Sequence, residues 1–233
     1  MNVKLITHTN YPTRTVARAA WITHNADWPT DYDMHPDRSG PLVRRVLASG
    51  HDSILEHAAF TFAVDGISRA CSHQLVRHRV ASYSQQSQRY VELGASQYEY
   101  YATPESIAHH YDSTVVAEYA CLMDEAKQVY NRMIAAGIPA EDARFILPNA
   151  AATKIVITMN ARELHHFFAL RCCTRAQWEI RNMARQMLER CKDVAPVLFE
   201  NCGPGCLRGP CPEGARSCGE PLEDQGARCQ VQG

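Results

Sequence analysis

ATKIVITMNARELHHFFALR, residues 152–171, changes character part-way along. Its first eight residues, ATKIVITM, are rich in β-branched side chains and about as long as an ordinary strand. The remainder, NARELHHFFALR (160–171), reads as a helix. Asn160 is placed to cap it, and Glu163 stands where a capping box puts a carboxylate. A strand feeding a capped helix is the unit from which a mixed fold is built.

The same mixture continues outward. Downstream, RAQWEIRNMARQMLERCKDV (175–194) is a second amphipathic helix. After Pro196 the periodicity fades, and from Asn201 the chain is rich in turn residues. Upstream, residues 112–137 form the clearest long helix. Val116, Tyr119, Met123, Ala126, Tyr130 and Met133 keep its three-to-four spacing, Gly137 stops it and Pro139 lies just beyond. Nearer the start, VKLIT (3–7) reads as a strand and TRTVARAAWITH (13–24) as a helix. NADWPTDYDMHPDRSG (25–40) reads as a polar loop. PLVRRVLASGH (41–51) reads as a helix opening at Pro41 and stopping at Gly50. HAAFTFAVDG (57–66) reads as a strand ending in a turn, and SRACSHQLVRHR (68–79) as a helix. There is no internal repeat. Helices outnumber strands and the two are interspersed, so the expected class is α+β. The expected organisation is one domain over residues 1–200 and a Cys/Gly/Pro-rich tail over 201–233.

The chain has 233 residues, 45% hydrophobic and 21% charged, within the ordinary globular range. Formal net charge is −1, from 24 Lys+Arg against 25 Asp+Glu. That balance argues against a nucleic-acid coat, so no nucleic-acid partner is expected. The start, MNVKLITHTN, has no basic leader followed by an apolar run, and no stretch approaches a membrane span of roughly 20 apolar residues. A cytoplasmic protein with no membrane partner is expected. Of ten cysteines, Cys71, Cys121, Cys172, Cys173 and Cys191 lie in patterned segments and read as small buried hydrophobes.

Against this neutral background LVRHRVASYSQQSQRYVEL (75–93) is strongly one-sided. No Asp or Glu occurs from Gly66 to Val91, yet Arg77, His78, Arg79 and Arg89 fall there, among Ser82, Ser84, Gln85, Gln86, Ser87 and Gln88. With residues 68–79 helical, Gln74 and Arg77 share a face, while Arg77 and Arg79 stand about 200° apart and address two sides. Guanidinium groups suit bidentate phosphate contacts, and the serines and glutamines add neutral donors. A phosphorylated, hydrogen-bonding small molecule is the ligand such a set fits; a solvated basic loop is the plain alternative.

Arg77-His78-Arg79, seven residues, then Ser87-Gln88-Arg89-Tyr90 resembles the signature of the flavin-dependent thymidylate synthases. The lead-in ISRACSHQLVRHR (67–79) does too, as do GHDSILEH (50–57), ARFILP (143–148) and MNARELHHFFALRCCTRAQWEI (159–180). These anchors come in the family's order and cover roughly residues 3–200.

The resemblance implies mixed helices around a mostly antiparallel sheet, and the reductive methylation of dUMP to dTMP. Methylene-tetrahydrofolate is then the carbon donor, leaving as tetrahydrofolate, and FAD reduced by NADPH is the hydride source. It implies a homotetramer with shared active sites. For FAD it implies Ser53, Arg77, His78, Arg79, Gln85, Asn160, Arg162 and His166, with His51 near the ring. For dUMP it implies Gln74, Leu75, Val76, Arg77, Gln85, Gln86, Ser87, Gln88, Arg89, Arg144 and Arg171. Arg171 is the implied catalytic residue, at the N3 edge of uracil, with no protein nucleophile and no metal. Gln85 and His166 depart from the Glu and Asn that several family members carry there.

Simpler roles stand beside these. Arg144 has Glu141 three residues back as a partner, Arg171 near a helix end suits the dipole, and Cys172-Cys173 reads as core. In the tail, Cys202, Cys206, Cys211, Cys218 and Cys229 lack the paired two-residue spacing of a zinc knuckle; a disordered tail, zinc and disulfide chemistry stay open. Two other functions compete with dTMP synthesis: an RNA-binding module built on residues 66–91, and a flavoprotein oxidase or reductase that shares only the fold.

Overall fold

The computed structural model describes residues 1–26, 34–92 and 100–220. In chain order the principal elements are β1 (Asn2–His8), α1 (Pro12–Ile22), α2 (Pro36–Ala48), β2 (Ala59–Ser68), α3 (Arg69–Leu75), β3 (Ala81–Gln85), α4 (Glu105–Ala108), α5 (Ser113–Ala135), α6 (Ala140–Ala143), β4 (Ala152–Asn160), α7 (Ala161–Arg171), α8 (Trp178–Val194) and α9 (Pro196–Phe199). The strands form a four-stranded antiparallel sheet in the order β1-β2-β4-β3. The α+β expectation holds.

The chain divides into two units. The first takes residues 1–2, 64–77 and 83–156. It holds α3 to α6, with the later half of β2 and the earlier half of β4. Val64, Ile67, Leu75, Tyr130 and Ile155 are among its buried side chains. The long helix α5 buries only Met123 and Tyr130. Tyr119 donates its hydroxyl to the Ala102 carbonyl at 3.1 Å, tying α5 to the segment before α4.

The second unit takes residues 3–63, 78–82 and 157–233, of which 27–33 and 221–233 are outside the described residues. It holds β1, α1, α2 and α7 to α9. Its core is aromatic. Phe199 of α9 meets Phe60 of β2 edge-on at 5.2 Å and Phe168 of α7 at 6.1 Å, and Phe62, Phe167 and Leu55 are also fully buried. Such edge contacts add about 0.5–1.5 kcal/mol each beyond area burial. Thr61 and Thr158 share a hydroxyl hydrogen bond of 3.0 Å across β2 and β4.

Four expectations change. First, α2 starts at Pro36, not Pro41. Pro36 supplies the same helix-start geometry five residues earlier, His35 accepts the Asp37 N–H, and Pro41 sits inside the helix. Of the rest of the expected loop, residues 27–33 lie outside the described residues. Second, β2 does not end at Gly66; it runs through it to Ser68. Gly66 takes φ 74°, and an added Cβ would stand 3.3 Å from the Met1 backbone, so a glycine kink continues the strand. Third, α3 covers only Arg69–Leu75 of the expected 68–79 helix. Val76 is its C-cap, and the Arg77 N–H bonds to the Gln74 carbonyl at 3.3 Å, a tight final turn. Arg77, His78 and Arg79 are therefore not on one helix, and helical periodicity does not set the directions of Arg77 and Arg79. Fourth, Ala81–Gln85 is a strand that the sequence reading did not contain.

Candidate active site

Helix α7 carries the best-defined cluster. The Asn160 side chain accepts the Glu163 N–H at 2.9 Å, the expected cap. The other half of the expected capping box is used differently. The Glu163 carboxylate faces His78, its Oε1 3.3 Å from Nδ1. Two turns further along, Arg171 donates from Nε to His78 Nε2 at 3.0 Å. Both His78 and Glu163 are buried, at 5% and 9% exposure. The rings of His166 and Phe167 meet His78 edge-on, at 5.9 Å and 4.9 Å.

These contacts fix a protonation state. An arginine only donates, so Nε2 must offer a lone pair to Arg171. A ring bonded this way is neutral and carries its proton on Nδ1, where it donates to Glu163. The electrostatics agree. Burial, then the charges of Arg171 and His166, hold His78 down at about 4. Burial pushes Glu163 up from the usual carboxylate range, with His166 pulling the other way. The His78–Glu163 contact has salt-bridge geometry, yet with a neutral imidazole it is a hydrogen bond rather than an ion pair.

Other named residues of this unit lie at the surface. Arg162 is exposed and pairs with Glu56. His51 and Ser53 are exposed at the start of the 3₁₀ turn Asp52–His57. Arg79 is exposed, as is Arg77 of the other unit; among the described residues no carboxylate lies within 4.0 Å of either.

In the first unit β3 organises a second set. The half-buried Gln85 donates its amide to Ser72 at 3.0 Å and to Thr153 at 3.2 Å, linking β3 to α3 and β4. The Gln86 N–H bonds to the Lys154 carbonyl at 2.9 Å, and Ser87 accepts the Arg89 N–H at 3.2 Å. Arg89 pairs with Glu141 at 2.9 Å. Arg144 bonds to the Glu141 carbonyl at 3.0 Å, so its sequence-expected partner is correct but through the backbone, because the carboxylate serves Arg89. Burial and the neighbouring Arg144 charge lower Arg69. Gln74, Leu75 and Val76 end α3, with Leu75 buried and its carbonyl accepting the Tyr83 hydroxyl at 3.0 Å. Gln88 is half-buried in the turn after β3.

Sequence reasoning missed Glu163 as a partner of His78, and Ser72 and Thr153 as partners of Gln85. Glu163 was legible only as an acid at a helix start, because the burial that demands a partner for it is not written in the sequence.

A separate cavity of about 820 Å³ belongs to the second unit and contains none of the sequence-named site residues. Cys172, Cys173, Cys202, Cys206, Cys211 and Cys218 line it, with Arg175, Arg185 and Lys192. No disulfide joins the nine described cysteines to one another; Cys121 is exposed and Cys173 half-buried, against the expectation of buried side chains, and no three His, Cys, Asp or Glu among the described residues are grouped to hold a metal ion. Cys229 lies outside the described residues.

Residues 4–197 match the thymidylate synthase complementing protein family. The chain belongs to that family. It is 49% identical over 225 residues to a protein of Geobacter sulfurreducens named flavin-dependent thymidylate synthase, covering 96% of each chain. A Clostridium tetani protein of the same name is 42% identical over 241 residues, covering 96% of this chain and 95% of that one. Among solved structures, a UMP/dUMP methylase, PolB, from Streptomyces cacaoi, crystallised with 5-Br dUMP, superposes with a TM-score of 0.74 at 26% identity, covering 85% of this chain and 93% of that one. Family membership accounts for the order of the anchors around Arg77–Arg79. It also makes the neutral His78 and the Arg171 bonded to it the features to explain chemically.

Proposed function

We propose that this family member is a flavin-dependent thymidylate synthase, converting dUMP to dTMP by reductive methylation. Methylene-tetrahydrofolate is the carbon donor and leaves as tetrahydrofolate; FAD is the flavin and NADPH its reductant. The residues fit an anionic dinucleotide cofactor. Arg77 and Arg79 have no carboxylate counter-charge among the described residues, and the stretch around them offers neutral donors. Ser53, His78, Gln85, Asn160, Arg162, His166 and His51 complete the set that holds the FAD. Reduced flavin supplies the hydride.

For dUMP, Gln74, Leu75, Val76, Arg77, Gln85, Gln86, Ser87, Gln88, Arg89 and Arg144 bind the nucleotide, with guanidinium groups on the phosphate. Arg171 faces the N3 edge of uracil. The observation that carries this reading is the Arg171 Nε–His78 Nε2 bond of 3.0 Å. It fixes one edge of the guanidinium on a neutral acceptor and turns the two Nη groups to another task. C5 of uracil becomes nucleophilic as negative charge builds over N3, C4 and O4. A fixed cation at that edge stabilises the charge as it develops, so no protein nucleophile is needed. The buried Cys172, held up at about 11, is a poor candidate for one. The active form is a homotetramer with shared active sites, working in the cytoplasm.

The test is a visible spectrum of the purified protein with added FAD, a dUMP titration, and then turnover with methylene-tetrahydrofolate and NADPH. A flavin spectrum that shifts as dUMP saturates, and dTMP that forms in step, are expected. Arg171→Ala is expected to keep the flavin spectrum and lose dTMP formation. Turnover in that variant at the wild-type rate removes Arg171 from its assigned role. Flavin oxidation that proceeds without dUMP returns the protein to the oxidase reading.

A further inference from the structure

We infer that Glu163 is a positioning residue for Arg171, acting through His78: its carboxylate holds the imidazole in the one tautomer that can accept the arginine. This rests on the reading of Arg171 as the uracil-edge residue.

Three side chains make up the relay. Arg171 Nε donates to His78 Nε2 at 3.0 Å, and an arginine has no lone pair to offer in return. The contact therefore requires a bare Nε2. A neutral imidazole carries one proton, so bare Nε2 means protonated Nδ1. That proton needs an acceptor in a site where His78 is only 5% exposed, since a buried unsatisfied N–H costs about 1–3 kcal/mol. Glu163 Oε1 lies 3.3 Å from Nδ1 and is that acceptor. The opposite tautomer would set an Nε2–H against the Arg171 N–H and leave Nδ1 bare against a carboxylate. Both contacts would then fail together.

The scaffold fixes each end. Asn160 caps α7 through the Glu163 N–H itself, so the backbone that carries the acid is pinned at the helix start. Phe167, one turn along, packs edge-on to the His78 ring at 4.9 Å and limits its rotation. Arg171 closes the same helix, so acid and arginine share one rigid element while the imidazole is held between them. What the relay delivers is orientation: with Nε engaged, the Nη edge has one direction in which to point. A hydrogen-bonded partner that fixes tautomer and ring orientation is how second-layer carboxylates act on histidines elsewhere.

The experiment compares Glu163→Gln and Glu163→Leu in the full-length, FAD-loaded protein, and reads the His78 tautomer by nitrogen NMR with labelled histidine. The resonances lost in His78→Gln identify that ring. Wild type is expected to show protonated Nδ1 and bare Nε2 at neutral pH. Glu163→Leu, which removes the acceptor at similar volume, is expected to lose roughly tenfold to a hundredfold in kcat/KM for dUMP, with flavin still bound. Glu163→Gln, whose amide oxygen can accept from Nδ1, is expected to recover most of that loss. A merely structural acid would lower thermal stability in both variants without this ordering in kcat/KM. Wild-type kcat/KM in a folded Glu163→Leu, or an Nε2-protonated or doubly protonated His78 in wild type, overturns the inference. If Glu163→Leu does not fold, the tautomer and the Glu163→Gln kinetics decide it. Failure of the functional reading looks different: wild type then makes no dTMP, while the tautomer result stands by itself.

Discussion

His78 is the residue whose chemistry is most constrained, because a buried imidazole between a carboxylate and a guanidinium has one workable proton. That constraint has a pH consequence. His78 is held down at about 4 in the folded chain by burial first and by Arg171 and His166 next, against about 6.5 when unfolded. Between those values the unfolded chain binds a proton that the folded chain refuses. The stabilisation is thus complete above about pH 6.5 and is lost as pH falls toward 4. Glu163, shifted up, acts with the opposite sign: its contribution is complete below the ordinary carboxylate range and is lost as pH rises through its folded value. The His78 shift is large, and between pH 6.5 and 4 the slope should follow it. Chemical denaturation from pH 7 to 4 is expected to show stability falling by up to about 1.4 kcal/mol per pH unit from this one group. The slope should flatten in His78→Gln. An unchanged slope in that variant would mean that other groups govern the acid limb. Glu163 also shows why part of the site was not legible. Its position at the helix start can be read locally, but its partner lies 85 residues away in sequence, and no local rule reaches that far.

At the scale of elements, α7 depends on its first residue. Asn160 satisfies a helix N–H that otherwise has no partner within the helix. Asn160→Ala is expected to cost about 1 kcal/mol, which for a chain of this size is roughly 2–4 °C in Tm. A thermal melt checks it, and Asn160→Asp, which also caps, should recover most of the loss. The β4–α7 junction was legible for the same reason: β-branched strand, cap and helix period are all written within twenty residues. The turn at Val76 to Arg79 was not. It contains no glycine or proline, and its apolar spacing continues past the true end of α3. Strand β3 was equally hidden. ASYSQ is short and polar, and it becomes a strand only because β4 offers it an edge; such preference is set by context rather than by the residues alone. Gly66 misled in the other direction, since a glycine kink inside a strand and a glycine turn after one look alike in sequence.

Over the whole chain, net charge near zero coexists with an acid-free segment of four cations and many neutral donors. The cysteines show a comparable separation, and it can be tested directly. Cys172, Cys191 and Cys202 are buried, and burial holds the first at about 11 and the last at about 12, with Cys191 pushed up as well. Cys218 lines the same cavity as Cys172 and Cys202 but is exposed. Hydrogen bonds from the Thr174 side chain and the Glu220 backbone draw its thiol below the usual range. Reaction with iodoacetamide needs both access and thiolate. At pH 8 a thiol held near 11 is ionised roughly one part in a thousand, before access is counted. Brief alkylation followed by peptide mass mapping is therefore expected to label Cys218 first, together with the exposed Cys121, and to spare Cys172, Cys191 and Cys202 until denaturant is added. Early labelling at Cys202 would mean that residues 201–220 open readily in solution, and their turns could then no longer be treated as part of the folded unit. Protection of Cys218 that a chelator removes would mean that a metal occupies the thiols, and the tail would have to be read as a ligand set.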